Sequence, residues 1–482
     1  MKTFRLIGMA LFAVLMCVNF ASCSSDEEPP TITLKTSIIN ADYIGGTYSI
    51  SFSSNCEHNI TFNSDKGEWI SIKESTSTTE SIIDCEISPN IYEESREGTI
   101  IFKNGMTELA SVKVIQEKFN SSLTVNMTES GTLEKAYPQD ILDNIISLKI
   151  IGEINGNDLS VIRKITGYDL GGAVDENLNP IPARKGKLTN LDLSEAKIVN
   201  GGKLTIEGNQ IEFIVDNDIP KSTFYGCTFT NLILPSNITS IKDYALSNCK
   251  FLTNLQLPNS IQVIGRGAFS GCSNLESIKM SNNITDIDFG AFMLCKSLKN
   301  ITLPEKLKFI GEAAFENCSS LTEITIPGTV TNIGEPPFAF CNKLESINVD
   351  SNNAVYSSYL GCLYNKEQTI FIRCPEAKKD ITYPNNIKEF TKGAFCNNLA
   401  ESLTIPKTVE KIGKSVFLTC DKLKTIYCKA TIPPTLSDSS SLPFVLNFVT
   451  IYVPQNSLTA YKNADIWKDC LSYHKIEGYN FN

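Results

Sequence analysis

The chain has 482 residues, 42% of them apolar, and a net charge of −10. That length allows two to four structural units, and that apolar fraction excludes a disordered chain. The acidic balance argues against nucleic acid or an anionic membrane surface as the main partner, because phosphate binding needs a basic face. Only two histidines occur, His58 and His474, which leaves little room for histidine catalysis or a common zinc site.

The first residues read as an address. Lys2 and Arg5 make a basic start, and Leu6 to Phe20 is an apolar run broken by Gly8 and Asn19, short for a membrane span. Residues 1–22 contain no acid, so removing their two positive charges from −10 leaves −12. The run ends in Phe20-Ala21-Ser22-Cys23, which resembles the lipobox of bacterial lipoproteins. The resemblance implies cleavage after Ser22 and acylation of Cys23; an ordinary cleaved signal with a coincidental cysteine is the other reading. Residues 23–30, with Asp26-Glu27-Glu28-Pro29-Pro30, form an acidic, proline-rich tether. The acidic run resembles the surface-export signal of Bacteroidetes lipoproteins, and a plain solvated linker is its alternative. Two or more acyl chains would anchor firmly. The expected location is the outer membrane, lipid-anchored and exposed at the cell surface.

Residues 31–118 read as strands. Thr31 to Leu34 and Thr47 to Phe52 alternate apolar and polar with period two. Trp69 to Ile72, Ile82 to Ile87, Gly98 to Phe102 and Ala110 to Ile115 follow, the last two joined through Asn104-Gly105, a hairpin signal. Short strands at this spacing predict an immunoglobulin-like sandwich. Gly45-Gly46, Trp69-Ile70, Arg96-Glu97-Gly98-Thr99-Ile100 and Val114-Ile115-Gln116 resemble the BACON family of such sandwiches. That family's name implies carbohydrate binding. The one tryptophan of the unit, in an alternating strand, reads as core, which favours a spacer. Cys56 and Cys85 read as two separate buried thiols, with a disulfide as the alternative.

Residues 121–220 read as an N-terminal cap with irregular repeats. Ile146 to Ile150 is a strand, and Asn155-Gly156-Asn157-Asp158 can cap a helix over Leu159 to Ile165. Gly167 to Lys187 reads as a loop, and Leu188 to Ser194 has a leucine-rich-repeat strand pattern. Asp158, Asp192 and Glu195 show no metal-ligand spacing.

Residues 221–430 carry a beat. Cys227, Cys249, Cys272, Cys295, Cys318 and Cys341 follow at intervals of 22, 23, 23, 23 and 23. Three residues before them stand Phe224, Leu246, Phe269, Phe292, Phe315 and Phe338. A fixed period of this size marks a solenoid whose repeats bury a core only by stacking. Leu275, Ile278 and Met280 have strand spacing, Ile284 and Ile287 face inward on the return side, and Ala-Phe forms a short helical turn. Gly265, Gly311, Gly334 and Gly413 mark a corner needing positive φ or close approach. The pattern Ile-Pro-x-x-Val-x-x-Ile-Gly-x-x-Ala-Phe-x-x-Cys, nearly complete at Ile326 to Cys341, resembles the BspA-type, or Treponema-type, leucine-rich repeat. The fold class is therefore mixed: an all-β sandwich, then a solenoid of short strands with irregular and short helical returns. The beat breaks over 350–383, where a hairpin variation is expected, and resumes at Gly393.

No CxxC occurs, and a column of cysteines makes a row rather than a tetrahedron, so no metal and no cofactor are expected. The column reads as buried free thiols acting as small apolar fillers. Cys362 and Cys374 either pair across the hairpin or stay free.

The outward strand positions form the candidate binding face: Asn254, Gln256, Ser277, Lys279, Asn300, Thr302, Glu323, Thr325, Ser346 and Asn348. They are polar and include no aromatic row, which speaks against a glycan-stacking groove there.

Residues 431–482 read as a C-terminal cap: a loop, a last strand Val449 to Pro454, and an amphipathic helix Ser457 to Trp467 with Tyr461 and Trp467 sealing the core. His474 reads as a surface residue. No catalytic set appears. The expected function is non-enzymatic binding or adhesion at the cell surface, to an extracellular protein or glycan, with the membrane engaged only through the lipid. Accessory glycan capture and a structural spacer are the alternatives.

Overall fold

The computed structural model describes residues 28–76, 81–167, 186–206, 209–213, 217–443 and 448–481; Cys23, the stretch before it and most of the Gly167–Lys187 loop lie outside them. The chain divides into two compact units after Glu117, with Ile91–Glu93 counted in the second.

The first unit is a sandwich of eight strands: β1 (Ile32–Leu34), β2 (Ile38–Ala41), β3 (Gly46–Ser54), β4 (Asn59–Asn63), β5 (Ile70–Thr76), β6 (Ser81–Ile87), β7 (Arg96–Asn104) and β8 (Thr107–Gln116). They form two sheets, β1-β3-β6-β5 and β2-β8-β7-β4. Alternation puts Ile50, Phe52, Ile83, Cys85, Ile100, Phe102, Val112 and Val114 into one core. Two strands, β2 and β4, were not legible from periodicity. Trp69 is core as expected, 4% exposed. Its Nε1–H donates to Ser64 Oγ at 2.9 Å, and the Arg96 guanidinium lies 4.4 Å over its ring. A Cβ on Gly98 would stand 2.3 Å from the Phe62 ring and 3.1 Å from Trp69, so only glycine fits beneath that aromatic pair. Cys85 is buried and Cys56 half-buried beside Ser54; both are free thiols, so the expectation of two buried thiols is corrected at Cys56, which sits in the bend just past the end of β3.

The second unit is a solenoid in which most turns lay one strand on a lateral side and one on a return side. On the lateral side Leu148, Leu191 and Leu232 align in parallel register, as do Leu255 with Ile278, Ile324 with Ile347, and Leu403, Ile426, Ile451 and Ile476 in sequence. On the return side six two-residue strands stack from Asp218–Ile219 to Asn332–Ile333. Between the sheets Phe269, Phe292, Phe315 and Phe338 stack at 5.2, 5.4 and 5.7 Å, each fully buried.

The Ala-Phe segment is not a short helix. Residues two before and two after the phenylalanine position take positive φ, on non-glycine residues as well: Tyr244 and Asn248, Gly267 and Gly271, Gly290 and Leu294, Ala313 and Asn317. A left-handed residue every fourth position forbids a helix. It also turns alternate amides toward the next layer. Gly267, Phe269 and Gly271 N–H donate to the carbonyls of Phe289, Ala291 and Met293 at 2.9, 2.8 and 2.7 Å. This ladder offsets the left-handed strain of about 1–2 kcal/mol per residue. Gly265, Gly311, Gly334 and Gly413 lack positive φ. Close approach explains them: a Cβ there would stand 2.3–3.0 Å from backbone or side-chain atoms of the preceding turn.

The cysteine thiols are free and buried, but they are more than apolar filler. Sγ of Cys272, Cys295, Cys318 and Cys341 donates to the carbonyl of Leu246, Phe269, Phe292 and Phe315 in the preceding turn, at 3.1, 3.2, 3.2 and 3.1 Å. Burial pushes Cys341 up to about 12, so it stays a thiol at neutral pH.

Both ends of the ladder need partners. At the start, the helix Gly156–Thr166 supplies them. It carries the Asn155/Asp158 capping box. The buried Asp158 carboxylate also accepts from the amides of Gly131 and Leu133, which is its role in place of any metal. Arg163, 8% exposed, donates Nη1 to the carbonyls of Ser222, Thr223 and Tyr225 at 3.2, 2.8 and 3.4 Å. It stands in for the amides of the turn that does not exist. Asp192 and Glu195 both pair with Lys149.

At the other end the helix is shorter than expected, Leu458–Asn463, and a further strand, Lys475–Tyr479, closes the lateral sheet. Tyr461 and Trp467 are buried and pack edge-on at 4.9 Å, with their polar atoms on the carbonyls of Ala430 and Pro434. His474 is buried, 4% exposed, which corrects its reading as a surface residue: Nε2–H donates to Pro443 O at 2.8 Å under the seal. Burial holds its imidazole below the ordinary 6.5. The unfolded chain therefore takes the proton first as pH falls. The contribution of His474 is complete above 6.5 and is lost as pH falls from 6.5 toward the depressed folded value. Melting curves between pH 7.5 and 5 are expected to fall more steeply for the native chain than for His474→Gln; parallel curves would contradict this.

Candidate functional site

The ten predicted lateral positions lie on one side of the solenoid, all exposed except Ser346, which is half-buried. Asn254–Gln256 pairs with Ser277–Lys279, and Glu323–Ile326 with Ser346–Val349, in exact register of like positions. Asn300 and Thr302 flank the buried Ile301 in the same pattern without forming a strand. The intervening residues Leu255, Ile278, Ile324 and Ile347 are buried, so the outward side chains carry no packing duty. Few polar contacts tie them down: Ser277 Oγ donates to Asn254 Oδ1 at 2.5 Å. The arrangement is a flat polar ladder able to make hydrogen bonds. It holds no nucleophile and base in contact. Among the described residues no group of three or more His, Cys, Asp or Glu is placed to hold a metal.

The face is interrupted where the beat breaks. Tyr356–Tyr359 and Cys362–Asn365 form a hairpin closed by Leu360-Gly361, both at positive φ, the two-residue turn that suits the strand twist. Ile370–Arg373 adds a third antiparallel strand and then pairs in parallel with Glu389–Phe390. The hairpin tip lies beside the lateral sheet: Ile347 N–H donates to Gly361 O at 2.8 Å and Val349 N–H to Ser358 Oγ at 3.1 Å. Cys362 and Cys374 are both buried and free.

The two runs of turns are sewn together beneath the hairpin by an ion pair that sequence reasoning missed. Arg373 and Glu376 are both fully buried and meet at 2.8 Å. Arg373 donates to Phe338 O at 3.1 Å in the run before and to Gly393 O at 2.7 Å in the run after. Glu376 accepts from Asn397 Nδ2 at 2.7 Å. Burial holds the Glu376 carboxyl above its ordinary value against the pull of Arg373.

Beyond the hairpin the outward column changes character. Thr404, Tyr427, Tyr452 and Glu477 are successive register partners. The Tyr427 and Tyr452 rings stack at 5.4 Å, Tyr479 leans on Tyr452 at 5.4 Å, and Phe481 on Tyr479 at 5.0 Å. An aromatic row therefore does exist on the lateral side. It lies after the region where the sequence pattern was read for one. The signal available was the recurrence of tyrosine at one strand position, Thr-Ile-Tyr at 425–427 and 450–452.

A capped parallel solenoid of about 23-residue turns with an outward polar column defines a repeat protein of the leucine-rich type. Six copies of the BspA type leucine rich repeat region match across residues 217–345, 264–375 and 367–470, and the chain belongs to that family. Residues 59–117 match BACON, described as a putative binding domain, N-terminal. Similar solved structures include a leucine-rich repeat protein from Bacteroides ovatus, 26% identical over 53% of this chain and 63% of that one, TM-score 0.39. A second, from Eubacterium ventriosum, is 26% identical over 45% of this chain and 64% of that one, TM-score 0.38. The chain thus spans a little under two thirds of the length of these two. A leucine rich cell surface protein from Faecalibacterium prausnitzii is 21% identical over 66% of this chain and 95% of that one, TM-score 0.39. No curated protein matches the chain.

Proposed function

We propose that this chain is a non-enzymatic binding protein displayed on the cell surface, anchored through a lipid on Cys23, which uses the lateral side of its solenoid to hold an extracellular protein or glycan. The observation that carries the reading is the outward column itself. Gln256, Lys279, Thr325 and Asn348 are exposed, in register and free of packing roles, while the conspicuous cysteines and phenylalanines are interior. Repeat solenoids present extended surfaces of this kind. The family match supports a binding role, and the cell-surface description of the Faecalibacterium relative is consistent with the expected location. Among the described residues no helix is long and apolar enough to cross a membrane.

The test uses cells displaying the full chain, screened against panels of matrix proteins and glycans. Binding to at least one panel is expected, lost when Lys279→Glu and Glu323→Lys are combined. Binding to neither panel would overturn the reading. Metabolic labelling with a fatty acid, lost on Cys23→Ala, is the matching test of the anchor.

A further inference from the structure

The aromatic end of the lateral column has a chemistry that its polar beginning lacks. Tyr427 stacks on Tyr452 at an interplanar angle of 17°, and Tyr479 and Phe481 close the far side. One face of Tyr427 is thus covered. The other looks along the sheet toward Thr404, its register partner in the preceding turn. Thr404 is far shorter than a tyrosine, and both are half-buried, so the part of the Tyr427 ring left open stands above a low, hydroxylated floor. Aliphatic anchors of the kind that fill pockets in protein interfaces are missing from this column, whose members are Thr404, Tyr427, Tyr452 and Glu477.

Charge narrows the occupant. Glu477 is neutralised by Lys475 at 2.5 Å. Lys429 is exposed, lies 5.8 Å over the Phe481 ring, and has no carboxylate partner among the described residues. The patch therefore offers a π face, hydroxyls and one uncommitted cation, in a protein that is otherwise acidic.

We infer that the Tyr427–Tyr452–Phe481 cluster with Lys429 is a binding site for a carbohydrate carrying a carboxylated sugar. A pyranose presents an apolar C–H face that suits the negative face of an aromatic ring, and a rim of hydroxyls that suits the polar floor. Its carboxylate would take the Lys429 ammonium in a charge-assisted hydrogen bond. This rests on the binding role proposed above and names its ligand class.

Two sources share that chemistry: a polyuronate and a sialylated glycan. The probes are therefore oligogalacturonate, fully methyl-esterified oligogalacturonate, and sialyllactose, each titrated against the purified full chain. Binding of either carboxylated probe is expected, weakening as salt is raised. Tyr427→Ala is expected to weaken it by about tenfold or more, the scale of an interface anchor, and Tyr427→Phe to leave it intact. Lys429→Met should weaken the carboxylated probe and leave the methyl ester unchanged. Melting temperatures recorded alongside separate lost binding from lost folding. If neither carboxylated probe binds, or if Tyr427→Ala binds normally, the inference is wrong. If only matrix proteins bind, the inference fails and the proposed function stands; if nothing binds, both fail.

Discussion

Replacing Arg373 with methionine is expected to cost about 3–5 kcal/mol, because it leaves the Glu376 carboxylate buried without its partner. The loss is local in origin. Arg373 supplies donors to Phe338 O and Gly393 O, the last turn of one run and the first of the next. Without it the two runs lose the element that joins their ladders across the hairpin. In a solenoid each turn is held mainly by its neighbours, so such a break separates what melts together. The variant should therefore unfold in two steps. Hydrogen exchange should rise first around residues 374–395, whose ladder bond Cys374 N–H to Ala394 O depends on this junction. The double variant Arg373→Met with Glu376→Leu should recover much of the loss, since a well-packed apolar pair can replace a buried ion pair at little cost. A single melting step at the native midpoint for Arg373→Met would contradict the argument.

Phe292→Ala is the second large effect, about 3–5 kcal/mol. The Phe292 ring is fully buried, between Phe269 at 5.2 Å and Phe315 at 5.4 Å. Truncation opens a cavity that neither neighbour can fill, because each is fixed by its own ladder bond: Phe269 N–H to Ala291 O at 2.8 Å and Phe315 N–H to Pro337 O at 3.3 Å. Phe292→Leu should cost far less, under about 1.5 kcal/mol. The chain makes that substitution itself: Leu246 occupies the same position in its turn and is fully buried. Denaturant titration of both variants checks the pair; equal losses would show that ring stacking, rather than volume, holds the layers.

The parts that were legible follow from periodicity. A cysteine every 23 residues with a phenylalanine three before it fixes a stacked array, and alternation fixes the sandwich strands. The parts that were not legible are set by tertiary partners. Arg163 sits within a helix pattern and Arg373 at a strand end, and neither position announces a buried guanidinium. Their roles exist only because a ladder of carbonyls ends nearby. Positive φ at Tyr244 and Leu294 contradicts local preference and is compensated by N–H bonds to Arg266 O and Glu316 O in the next turn. The tyrosine cluster escaped because it follows the interruption: Tyr427 and Tyr452 lie 25 apart, off the 23-residue beat, and Tyr479 belongs to a closing strand with no repeat signature. His474 misled because its polarity suggests the surface while its carbonyl partner, Pro443, lies 31 residues away.

The interior groups hold the fold, and in the proposed function the outward column does the binding; one measurement tests that division of roles. Binding of the displayed full chain to its panel is compared, alongside its melting temperature, between the native protein and a variant carrying Lys279→Glu and Glu323→Lys, both at exposed positions. The expected result is binding lost with melting nearly unchanged, since exposed substitutions shift stability by about 0.5 kcal/mol or less each. Binding retained at full strength by that variant would place the function elsewhere in the chain and contradict the account.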